Sequence, residues 1–66
     1  MKKGDRIRLV SMGPDPCPIP AGSEGTVILV NEGIYPGTTD VTVEWDSDRS
    51  LSLIMPPDVA VVVKEI

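Results

Sequence analysis

The chain has 66 residues with a formal charge of −4, ten acidic side chains against six basic ones, one cysteine and no histidine. Such a length holds one domain near the lower limit of unaided folding. An internal disulfide and a histidine- or cysteine-based zinc site are excluded, and the acidic balance disfavours nucleic acid, whose binders cluster Lys and Arg against phosphates.

The first strand is read over Arg6-Ile7-Arg8-Leu9-Val10, where charged and apolar residues alternate. Ile7 and Leu9 are expected inward, and Arg6 and Arg8 outward. Met1-Lys2-Lys3 runs directly into this pattern, so no leader peptide is expected, and no apolar run is long enough for a membrane helix. Between Ser11 and Ser23 the alternation stops, and Pro14, Pro16, Pro18 and Pro20 impose an extended, donor-poor loop. Its expected role is a rigid lid over one end of the fold, with Ile19 tucked inward. Pro20-Ala21-Gly22 reads as a turn.

The second strand is expected over Thr26 to Val30, with Val27 and Leu29 inward and Ile28 and Val30 outward. In the following loop Tyr35-Pro36-Gly37-Thr38 fits a type II turn, with Pro second and Gly third. Val41-Thr42-Val43-Glu44-Trp45 alternates strictly and is the third strand. Asp46-Ser47-Asp48-Arg49 closes a hairpin to the fourth strand, Ser50-Leu51-Ser52-Leu53. Met55-Pro56-Pro57-Asp58 breaks it as a short 3₁₀ turn, and Val59 to Lys64 is the last strand. No segment sustains a 3.6-residue period.

Five short strands, a long first loop and a turn before the last strand predict a single all-β domain over residues 1–66, an SH3-like barrel. Partial closure hides strand edges and lets a small core suffice. The expected core is Ile7, Leu9, Val27, Leu29, Val41, Val43, Leu51, Leu53 and Val59 or Val61, with Trp45 near one end.

Five stretches are specific in combination: Gly4-Asp5-Arg6-Ile7-Arg8-Leu9-Val10-Ser11-Met12, Asp15-Pro16-Cys17-Pro18-Ile19-Pro20-Ala21-Gly22, Gly25-Thr26-Val27, Val43-Glu44-Trp45-Asp46-Ser47-Asp48-Arg49-Ser50-Leu51-Ser52-Leu53 and Pro56-Pro57-Asp58. Together they resemble a family of short bacterial, phage and mobile-element proteins that carries only a domain-of-unknown-function label. The resemblance implies an SH3-like barrel and such an origin, but no activity. The chain departs from the family pattern at Cys17, where members carry an acidic residue, and at Trp45-Asp46-Ser47-Asp48, where they carry Trp-Asp-Asn-Gly. A weaker likeness, in strand order and the Gly-Thr-Val entry to the second strand, is to the small stromal accessory subunit of photosystem I.

Chemistry-bearing candidates are few. Cys17 has no histidine anywhere to activate it and reads as a spectator thiol. Asp46, Asp48, Asp40 and Glu44 are oxygen donors suited to a hard cation, but Asp-Ser-Asp is ordinary turn composition. Glycines Gly22 and Gly25 precede a strand and offer no phosphate cradle. Two aromatic residues do not line a groove or a stacking platform. No enzyme activity, cofactor, metal or small-molecule substrate is therefore expected. The expected function is a cytoplasmic, non-catalytic protein-interaction module. Its proposed contact patch is an outer sheet face of Arg6, Arg8, Val10, Ile28, Val30, Ala60 and Val62, used for a partner protein or for self-association. The rival readings are a nucleic-acid-associated barrel docking through Lys2, Lys3, Arg6 and Arg8, and a purely structural accessory subunit.

Overall fold

In the computed structural model, which describes residues 1–65, five antiparallel strands form one sheet. They are β1 (Arg6–Ser11), β2 (Glu24–Glu32), β3 (Thr39–Trp45), β4 (Ser50–Met55) and β5 (Val59–Lys64). The spatial order β4-β3-β2-β1-β5 brings the last strand back beside the first, the SH3-like barrel arrangement expected from the sequence.

The core is small and continuous. Ile7 and Leu9 of β1, Val27 of β2, Val41, Val43 and Trp45 of β3 and Leu53 of β4 are all buried. Each sits at the alternate positions that a pleated strand sends to one face. Ile19, from the proline-rich loop, is only 2% exposed and completes the cluster. The loop is thus the expected lid. Its Ile19 amide donates to the Met12 sulfur at 3.2 Å, and Asp15 Oδ1 accepts from the Cys17 amide at 2.8 Å.

Several inward assignments need correction. β2 carries a bulge: Val27 pairs with Val43, but Leu29 pairs with the next residue back, Thr42. The extra residue, Ile28, reverses the parity beyond it. Leu29 therefore points out, 50% exposed, and Val30, opposite Val41, packs against the core. A run of four apolar residues hides such a switch from periodicity. On β5 the parity is also opposite to expectation. Ala60 pairs with buried Leu9 and Val62 with buried Ile7, while Val61 pairs with exposed Arg8. Val59 and Val61 are 43% and 45% exposed and lie outside the core. Leu51 is half-buried at its margin.

The turns follow their residues. Tyr35 accepts from the Thr38 amide at 3.2 Å with Gly37 at φ +78°, and Pro20 accepts from Ser23 at 3.1 Å with Gly22 at φ +89°. Both are type II geometry, which requires a positive φ at the third position. The β3–β4 hairpin closes without glycine: Trp45 accepts from the Asp48 amide at 3.2 Å and donates to Arg49 at 2.9 Å, with Asp48 itself at φ +63°. This is a three-residue loop with a bulge in the left-handed position, not a primed two-residue turn. Between β4 and β5 the expected 3₁₀ helix is absent. Residues 56–58 form a simple turn in which the Met55–Pro56 and Pro56–Pro57 peptides are cis.

Candidate functional site

The proposed outer patch does not form one surface. Val30 and Ala60 pack against the core, as the bulge and the β5 register dictate. Val10 lies at the Gly22 end of the β1–β2 ladder, whereas Ile28 lies beyond Val27 at the other end, roughly 15–20 Å away at about 3.3 Å per residue. Val62 belongs to the β5 edge, 37% exposed.

Between these ends the outer face of β1 and β2 is occupied by ion pairs. Arg6 grips Asp46 with two bonds, Nη1 to Oδ1 at 2.8 Å and Nη2 to Oδ2 at 2.6 Å, and reaches Thr26 Oγ1 at 3.1 Å. Glu24 bridges both arginines, 3.7 Å from Arg6 and 3.2 Å from Arg8. The bidentate bond from Arg6 holds the Asp46 carboxyl below its ordinary value, and the same bond raises the Arg6 guanidinium. Lys2 pairs with buried Asp5 at 3.2 Å. Of the four N-terminal cations, three are thus matched by carboxylates.

A concavity lies elsewhere, where three connections converge. A cleft of about 410 Å³ runs between the start of the proline-rich loop (Met12 to Asp15), the Tyr35–Thr38 turn, and Ile54 with the Pro56–Pro57 turn. One buried carboxylate builds its floor. Asp58 Oδ1 accepts from the Gly13 amide at 2.6 Å, Oδ2 accepts from the Ile54 amide at 2.8 Å, and the Asp58 amide donates to the Ile54 carbonyl at 2.9 Å. Gly13 packs closely here: a Cβ there would stand 3.0 Å from Pro57 Cγ, so the proline ring would have to give by a few tenths of an ångström. From the other side, Arg49 Nη2 donates to the Cys17 carbonyl at 2.7 Å and fixes the loop's far limb.

The walls are apolar, with Tyr35 66% exposed and Ile54 41% exposed. Asp15 stands at the rim; among the described residues its carboxylate makes no ion pair. The sequence singles out the proline-rich loop, the Tyr35–Thr38 turn and the Pro56-Pro57-Asp58 break separately, but not their meeting, which the long-range strand order brings about.

A family model described as a domain of unknown function (DUF4314) matches residues 1–63. The chain belongs to this family. No curated protein and no solved structure matches it. The remaining candidates carry little chemistry in this DUF4314 domain. Cys17 is exposed and unpaired, Asp46 is engaged by Arg6, and among the described residues no three metal-binding side chains gather. Nor, among the described residues, is any helix long and apolar enough to cross a membrane.

Proposed function

We propose that this DUF4314 domain is a non-catalytic protein-interaction module of a bacterial, phage or mobile-element system, acting in the cytoplasm. It takes an extended segment of its partner in the three-loop cleft. The observation that carries this reading is the cleft itself: apolar walls, an outward tyrosine and a rim carboxylate held on a floor that Asp58 keeps rigid. Sites of this kind combine apolar area with a few fixed polar groups. The chemistry suits a segment with apolar side chains beside one Lys or Arg, the cation facing Asp15.

Pairing of Arg6, Arg8 and Lys2 with carboxylates favours this reading over a nucleic-acid-associated role, since compensated cations release few counterions from a phosphate backbone. A purely structural accessory subunit has no use for an open cleft. The test is peptide display against the immobilised domain. Selected sequences should be apolar with one basic residue, and they should be lost with Ile54→Asp or Asp15→Lys. Selection of sequences that bind both variants as well as the parent would refute the cleft as the site.

A further inference from the structure

The two edges of the sheet are treated differently. On β4 the Ile54 amide and carbonyl are both occupied by Asp58, and the proline-rich loop tied down by Arg49 flanks the strand. β5 has no such cover. Among the described residues, no side chain or loop hydrogen-bonds to any residue of Val59–Lys64, whose backbone bonds only the β1 ladder. Unprotected edges of this kind are templates for further strand pairing.

The direction of the free groups can be assigned. Leu9 donates to Ser23 at 2.8 Å and the Asp5 carbonyl accepts from Val27 at 2.9 Å, so positions 5, 7 and 9 turn their backbone groups toward β2. Arg6 and Arg8 therefore face β5, and Val61, opposite Arg8, turns its groups inward to β1. The amides and carbonyls of Ala60 and Val62 consequently point to the open edge.

We infer that this edge pairs with the β5 of a second copy, antiparallel and about a two-fold axis at Val61. An isologous contact requires a surface complementary to itself. An antiparallel pair of identical strands meets that condition, and only registers that oppose outward-pointing residues can bond. Centring on Val61 sets Ala60 against Val62 of the second copy in both directions, giving four backbone hydrogen bonds. Charge selects the same partner. Residues 59–63 are uncharged in a chain of net charge −4, so two copies approach here with least repulsion. In this register each Lys64 lies opposite Asp58 of the second copy rather than opposite the other Lys64. The exposed valines at 59, 61 and 63 then share a continuous outer row.

The inference is independent of the cleft, and hydrogen exchange with sedimentation tests it. The 7.1 kDa chain should double in mass as concentration rises. The amides of Ala60 and Val62 should slow in step with that doubling, while Val61 stays protected throughout. Val62→Pro removes an edge donor without touching the β1 ladder and should abolish the dimer. Val61→Lys, at a position already exposed, should do the same by repulsion at the axis and covers the case in which the proline variant fails to fold. A chain that remains monomeric at about 1 mM, at the weak end of protein association, overturns the inference. So does a dimer that keeps Ala60 and Val62 in fast exchange or survives Val61→Lys, whether it forms through another face or through β4.

Discussion

Asp58 and Gly13 lie 45 positions apart in the chain, yet the Asp58 carboxylate accepts the Gly13 amide proton at 2.6 Å while holding Ile54 through its other oxygen. The β4–β5 turn is thereby fastened to the start of the proline-rich loop. Replacement by alanine leaves two partly buried amides without their carboxylate acceptor and should cost about 3 kcal/mol. Asp58→Asn keeps one acceptor oxygen and should lose less. Urea denaturation of the three proteins checks the order; a variant with alanine as stable as the parent would show that the contact is incidental.

Trp45 packs at 2% exposure, and its Nε1 donates to the Leu51 carbonyl at 3.1 Å. Trp45→Ala removes the largest side chain of the core and that bond together. The expected loss is about 3 kcal/mol or more, most of the stability of so short a domain. Circular dichroism should find the variant largely unfolded at 37 °C.

Asp48 holds a left-handed backbone conformation, φ +63°, that favours glycine. Its side chain has no hydrogen bond among the described residues that would compensate. Asp48→Gly should raise stability by up to about 1 kcal/mol. Asp48→Val should lower it, because a β-branched side chain tolerates that region least. Paired thermal melts decide both signs.

The Arg6–Asp46 pair gives a pH dependence of known sign. Asp46 is depressed below its ordinary 3.8 by the bond from Arg6. Its stabilising contribution is therefore complete above that value and is lost as pH falls through the lower folded one. Both groups are exposed, so the effect on stability is small and salt-sensitive. An NMR titration of Asp46 should show its midpoint rising toward 3.8 in Arg6→Met; an unchanged midpoint would assign the depression to another group.

Strand number, order and most of the core were legible because alternation is plain wherever polar and apolar residues interleave, as in Arg6-Ile7-Arg8-Leu9 and Val41-Thr42-Val43-Glu44-Trp45. Parity failed where they do not. Val27-Ile28-Leu29-Val30 and Val59-Ala60-Val61-Val62-Val63 are apolar on both faces, so neither the bulge at Ile28 nor the β5 register leaves a trace in the pattern. The outer patch inherited both errors. The cleft was hidden for a different reason: Gly13, Tyr35 and Asp58 are brought together by long-range pairing, and no local motif announces a floor made by a turn carboxylate.

The most direct measurement is an amide chemical-shift map of the labelled domain titrated with a peptide selected against it. Shifts should cluster at Gly13, Asp15, Tyr35, Thr38, Ile54 and Asp58, and Asp15→Lys should weaken the peptide's affinity. Shifts confined to the Arg6–Glu24–Asp46 face, or to the β5 edge, would contradict the cleft as the binding surface.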